Sequence, residues 1–213
     1  MTMIQFLKTV CASLLMTILP VLTIVTDRRQ VRPSIVIKII CSSLFLMTGV
    51  LGMIEKPGIC GSLILVALVF CLVGDAFLEI PKENCFLPGM IAFMIGHILY
   101  IAAFQTLSAW NPVTLLIAVL IGSAVALAGH FLGAHTGKLT IPVLIYMFAI
   151  SLMVVTALRT SVPMICAGAL LFMFSDGVLA YNKFVKPIRL ASGMVIGPYY
   201  VGQTLIALSI AFL

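Results

Sequence analysis

The sequence predicts an all-α fold, a polytopic bundle of eight transmembrane spans, and three observations carry that prediction. Apolar residues make up 63% of the chain and charged residues only 8%, against roughly 45–50% and 25% in soluble domains. The apolar residues fall in runs of about 20, long enough to cross a ~30 Å hydrocarbon core as helices, and the alternation over ~10-residue segments that marks a membrane β-barrel is absent. Every connection between runs is short and rich in breakers, so residues 1–213 read as a single integral membrane domain with no soluble part.

In order, the spans fall at about 5–25, 34–54, 59–80, 87–107, 113–133, 139–157, 162–182 and 190–213. The first has one lysine and no small-residue cleavage site, which marks it as a span and not a removable leader. The connection TDRRQVRP is bounded by Pro33, EKPG separates spans 2 and 3, and Pro81 in PKEN stops the third span. SAWNP places Trp110 where an interfacial aromatic belongs; GAHTGK, RTSVP and NKFVKPIR, bounded by Pro187, complete the set.

Nine of the twelve basic residues share one face: Arg28, Arg29, Arg32, Lys38, Lys82, Lys138, Lys183, Lys186 and Arg189. Lys8, Lys56 and Arg159 take the other, so the positive-inside rule places the odd-numbered connections in the cytoplasm and both termini outside. The formal charge of +6 is thereby assigned to orientation and anionic membrane lipid, with no nucleic acid as partner. Six cysteines stand singly, mostly inside apolar runs and without a CxxC, as small packing residues.

Two carboxylates break this pattern. Asp75 lies in VFCLVGDAFLEI and Asp176 in LLFMFSDGVLAY. A charge near the bilayer interior costs at least ~2.5 kcal/mol on insertion scales, which makes each a functional candidate. Superposed at an offset of 101 residues, Asp75 falls on Asp176, Leu78 on Leu179, Lys82 on Lys183, Ile95 on Ile196 and Gly96 on Gly197. A real repeat would pair spans 3 and 4 with spans 7 and 8 in parallel, about an axis along the membrane normal; the alternative is coincidence in apolar sequence.

Asp75 lies six residues before Pro81, or ~9 Å below the cytoplasmic helix end, with Asp176 at a matching depth. His97 and Tyr100 of span 4 fall roughly 13–20 Å in from the helix start. Tyr146 of span 6 and Tyr199, Tyr200 and Gln203 of span 8 lie near that level, and Glu79 shares a face with Asp75 at i,i+4. These form a polar layer in the cytoplasmic half of the bundle. Each member has a plainer reading: Glu79 as an interfacial solvated charge, His97 as an interhelical hydrogen-bond donor, the tyrosines as packing residues with a satisfied hydroxyl. Ser175 precedes Asp176 directly and points about 100° away, a poor nucleophile pairing. His130 and His135 have no spacing that supports a metal site with His97, so neither metal nor cofactor is expected. For the two Asp residues the plain reading is a buried ion pair, yet no basic residue is expected at their depth.

The segments GDAFL (74–78), FMIGHILY (93–100) and FSDGVLAY (174–181), set in eight short-looped spans, resemble the YhhN/TMEM86 family of integral membrane proteins over essentially the whole chain. The resemblance implies a lysoplasmalogenase. Such an enzyme takes a lysophospholipid substrate and cleaves its vinyl ether bond, releasing a fatty aldehyde and glycerophosphoethanolamine or glycerophosphocholine. It also implies a multi-pass protein of the bacterial inner membrane or, in a eukaryote, the endoplasmic reticulum.

Two carboxylates suit this chemistry. One, carrying its proton, donates it to the vinyl carbon β to the oxygen; the other, ionised, stabilises the oxocarbenium ion and orients the water that captures it. Either Asp suits either role. His97 and Tyr100 are placed to hydrogen-bond a carboxylate or the water, and Lys82, Lys183, Lys186 or Arg189 to receive a phosphate. A proton-coupled carrier, or a non-catalytic lipid-binding scaffold, is the competing class, because intramembrane carboxylates and a repeat suit transport equally well.

Overall fold

A computed structural model describes the backbone of residues 3–29, 35–109 and 112–213. Trp110, Arg32 and Pro33 lie outside the described residues, as do the side chains of Arg28 and Arg29, so the expectations resting on them are not addressed. Among the described residues eight long helices follow one another: α1 (Met3–Arg29), α2 (Ile35–Glu55), α3 (Ile59–Glu79), α4 (Glu83–Gln105), α5 (Pro112–Gly133), α6 (Thr140–Arg159), α7 (Pro163–Phe184) and α8 (Ala191–Ser209). No strand occurs among the described residues. Among the described residues seven helices, α2 to α8, are long and apolar enough to cross a membrane, which makes this an integral multi-pass membrane protein.

The breakers act as expected at most boundaries. α3 ends at Glu79, with Ile80 extended before Pro81, because the residue ahead of a proline is pushed out of helical geometry. Pro163 opens α7 in the first turn, where its missing N–H leaves nothing unpaired. The start of α4 differs from the span expected at 87. The helix begins at Glu83 and carries Pro88 inside it, because a proline this near the N-terminus removes only one intrahelical bond.

Six helices form a closed ring in the order α2, α3, α4, α6, α7, α8, with α3/α4 and α7/α8 the most extensively packed pairs. α1 leans on α2 and α8, while α5 packs chiefly on α6 and is otherwise peripheral. Polar and aromatic side chains fill the ring's interior. Tyr199 stands among Phe45, Phe93, Phe172 and Tyr200 with ring centroids 4.8–6.5 Å away, mostly edge to face, pairings worth roughly 0.5–1.5 kcal/mol each beyond their area.

Glycine sets how closely α7 and α8 approach. A Cβ on Gly168 would stand 2.7 Å from the Gly202 carbonyl oxygen, and one on Gly202 would stand 2.7 Å from that of Gly168. Two backbones in mutual contact leave no room for a side chain, the small-residue packing that membrane helices use in place of a hydrophobic driving force. That contact fixes the stretch of α7 leading to Asp176 against the stretch of α8 that carries Tyr199.

Candidate active site

Asp75 and Asp176 open onto one cavity of about 600 Å³, which Lys38, Glu79, Lys82 and Tyr199 also line. Asp75 is 3% exposed. Its Oδ2 accepts a hydrogen bond from the Ser42 hydroxyl at 2.5 Å and another from the Tyr199 hydroxyl at 2.8 Å. Ser42 lies on α2 and Tyr199 on α8, so three helices meet at one carboxylate oxygen.

Asp176 is held differently. Its Oδ2 accepts from the Tyr146 hydroxyl of α6, and His97 Nε2 of α4 lies 3.0 Å from that hydroxyl and 3.9 Å from the carboxylate. With Tyr146 donating to Asp176, the tyrosine oxygen is left to accept, so Nε2 carries the imidazole proton. Nδ1 is then a bare acceptor, and it is buried with no hydrogen-bond partner among the described residues. The ring packs against Phe172 at 4.8 Å and Tyr146 at 5.1 Å. His97 thus makes the interhelical hydrogen bond of its plainer reading, and the group it reaches is the one that holds Asp176.

A second cavity, of about 380 Å³, opens on the far side of Asp176. Its walls are apolar, with Met90 of α4, Val125 and Leu132 of α5, Ile150 of α6 and Met173 of α7 among them. The two cavities share Leu78, Phe86, Asp176, Leu179 and Lys183. Asp176 is therefore the carboxylate at which a polar space meets an apolar one.

Several expectations require correction. Glu79 is not solvated: its side chain is 8% exposed and its Oε1 is 2.6 Å from Lys38 Nζ. The same pair places a basic residue beside Asp75, where none was expected, since Lys38 lines the cavity from α2. Tyr100 and Gln203 turn to each other, the tyrosine hydroxyl donating to Gln203 Oε1 at 2.6 Å and the Gln203 amide to Cys71 Sγ at 3.3 Å. Neither lines either of these two cavities. Ser175 lines the polar cavity and, in keeping with its expected angle from Asp176, its hydroxyl donates to the Val195 carbonyl at 2.8 Å. Tyr200 lines it too, with its hydroxyl donating to the Lys38 carbonyl at 3.3 Å.

Lys82 and Lys183 line the polar cavity, Lys183 with its ammonium 4.1 Å from the Phe86 ring centroid, whereas Lys186 and Arg189 line neither cavity. Among the described residues no three His, Cys, Asp or Glu side chains gather as a metal site would require; His135 Nδ1 instead meets the Phe131 carbonyl at 2.9 Å. Ser42 is not singled out in the sequence, and Lys38 is named there only as part of the basic face. Their i,i+4 spacing on α2 puts a hydroxyl and a cation on one face of an apolar helix, which is the signal that marks them.

Comparison with known proteins bears on this geometry. The sequence model of the YhhN family matches residues 33–210, which include both carboxylates and all six ring helices. The chain belongs to the YhhN family. It is 34% identical over 182 residues to lysoplasmalogenase TMEM86A of Bos taurus, covering 80% of this chain and 74% of that protein. It is also 34% identical over 169 residues to human lysoplasmalogenase TMEM86B, covering 79% and 72%. A lysoplasmalogenase of Mycobacterium tuberculosis is 35% identical over 127 residues, 56% of this chain and 49% of that protein. No solved structure matches.

Proposed function

We propose that this YhhN-family protein is a membrane-embedded lysoplasmalogenase that cleaves the vinyl ether bond of a lysophospholipid by carboxylate acid–base catalysis. The observation that carries the reading is the position of Asp176 at the join of a polar and an apolar cavity, with Asp75 on the polar side. A lysoplasmalogen has the same division, one hydrocarbon chain and one zwitterionic headgroup, with the vinyl ether between them. The relatives named lysoplasmalogenases support the same reaction.

With the headgroup phosphate near Lys82 and Lys183 and the chain in the apolar cavity, the vinyl group lies beside Asp176. The carbon to be protonated is the one farther from the ether oxygen, on the chain side. Asp176 therefore takes the role of acid and delivers its proton to that carbon, leaving an oxocarbenium ion across the ether carbon and oxygen. Asp75, whose Oδ2 is occupied by Ser42 and Tyr199, keeps Oδ1 for the attacking water. It takes the water's proton as the hemiacetal forms. Asp176, now ionised, removes the hemiacetal hydroxyl proton, and Asp75 returns its proton to the departing glycerol oxygen. Aldehyde and glycerophospho-alcohol leave, and both carboxyls end as they began.

Tyr146 and His97 hold Asp176 through the whole cycle, the tyrosine donating while the carboxylate is charged. Lys38 neutralises Glu79 at the cavity wall, so that the local charge is set by the two aspartates and the substrate. The helices act as eight spans with both termini outside, a reading supported by the basic bias of the odd-numbered connections. The relation of α3/α4 to α7/α8 as a parallel repeat is supported by the 101-residue offset and by the similar, extensive packing of the two pairs.

The test is aldehyde release from a lysoplasmalogen by the purified protein in detergent. Detergent removes any transport gradient and leaves hydrolysis intact. Steady release of aldehyde with one glycerophospho-alcohol per turnover is the expected result, and absence of aldehyde would leave the carrier reading standing.

A further inference from the structure

Most helical glycines here have a packing reason. A Cβ on Gly74 would meet the Phe93 ring at 2.6 Å, and the Gly168 and Gly202 positions are closed by each other's carbonyls. Gly177 has none: a Cβ there meets nothing within 4 Å, and the residue is exposed. It sits in the middle of α7, where glycine is a poorer helix former than alanine because it loses more backbone freedom on ordering. The open space beyond it is the apolar cavity, which Gly177 lines directly after Asp176.

The cavity has a definite open side. α4, α6 and α7 belong to the ring, whereas α5 packs chiefly on α6 and makes no extensive contact with α7 among the described residues. The seam between them is edged by Ala124 and Ala128, both exposed, on α5 and by Gly177 and Ala180 on α7. Away from the cavity α5 presents exposed Leu116, Leu120 and Leu127, a surface suited to lipid. A hydrocarbon chain already lying in the bilayer can therefore enter sideways without crossing water.

We propose that the apolar cavity is the hydrocarbon-chain site, entered from the bilayer between α5 and α7, and that Gly177 keeps it open beside Asp176 and so sets which chains are accepted. The proposal rests on the lysoplasmalogenase reading and adds to it an entry route from the bilayer and a specificity-determining residue. A side chain at Gly177 occupies space that the first methylenes beyond the vinyl group would fill. A chain that cannot seat there loses contact along its length, at about fourfold in affinity per methylene left out.

The experiment is a size series, Gly177→Ala, Gly177→Val and Gly177→Leu, assayed with lysoplasmalogens carrying a sixteen-carbon or an eight-carbon alkenyl chain. The expected result is a graded fall in the long-to-short ratio of kcat/KM, tenfold or more for Gly177→Leu and carried mainly by KM. Gly122→Leu is the control: Gly122 also meets nothing within 4 Å but lies outside both cavities, and its variant should match wild type. A long-to-short ratio that does not move across the series would overturn the proposal. A second arm measures binding of a saturated 1-O-hexadecyl lysophospholipid, which lacks the reactive double bond. Binding weakened at least tenfold by Gly177→Leu supports the chain site even if no vinyl ether is cleaved, in which case only the hydrolase reading fails. Cleavage of the vinyl ether with binding insensitive to Gly177 overturns the chain site alone.

Discussion

Asp75 and Asp176 line the same polar cavity, 101 residues apart in the chain, yet the molecule treats them differently. Asp75 lies four residues from the end of α3 and accepts two hydroxyl hydrogen bonds, one from α2 and one from α8. Asp176 lies eight residues from the end of α7, accepts from the Tyr146 hydroxyl alone among the described residues, and lines both cavities. Two carboxylates on one cavity need not have equivalent chemistry. What separates them is what the other helices bring: α2 and α8 supply donors to the first, while α4 and α6 supply a tyrosine and a histidine to the second.

If the roles divide as proposed, the largest effect belongs to Asp176→Asn. It removes the proton donor to carbon, and aldehyde release should fall by roughly 10²–10⁴, the range of general acid catalysis. Asp75→Asn should follow at about 10²-fold, because the oxocarbenium ion retains some reactivity toward unassisted water. Equal losses in the two variants would break the asymmetry. Smaller effects come from the supporting groups. Hydrogen bonds to charged acceptors are worth about 1.5–3 kcal/mol, so Tyr146→Phe should lower the rate roughly tenfold or more. Ser42→Ala and Tyr199→Phe should each do less, since either leaves the other donor in place, while the double variant should exceed the product of the two. A chelator should leave the rate unchanged; loss that zinc restores would point to a histidine site instead.

The spans that carry the carboxylates were the most legible. Residues 59–80 and 162–182 were expected, and α3 and α7 run over Ile59–Glu79 and Pro163–Phe184. Hydropathy and proline act locally, so they mark such ends well. A charge in an apolar run is equally local, which is why both aspartates stood out. Tyr100 and Gln203 were expected near the carboxylates because their depth is right, but depth along a helix does not give the direction in which a side chain points. They bond each other inside the wall. Ser42, and the place of Lys38 at the site, are not legible in the sequence for the converse reason. α2 reaches the site only through packing against α3 and α8, a long-range fact that no window on the sequence contains.

The protonation of carbon is the step on which the division of roles depends, and it leaves a mark in the product. Lysoplasmalogen is hydrolysed by the purified protein in D2O and the aldehyde is trapped at once by reduction to the alcohol. The expected product carries one deuterium on the carbon next to the former aldehyde carbon, and Asp176→Asn yields almost none of it while Asp75→Asn still yields labelled product at its slower rate. Aldehyde released without deuterium at that carbon, or full-rate release by Asp176→Asn, would contradict acid catalysis by Asp176.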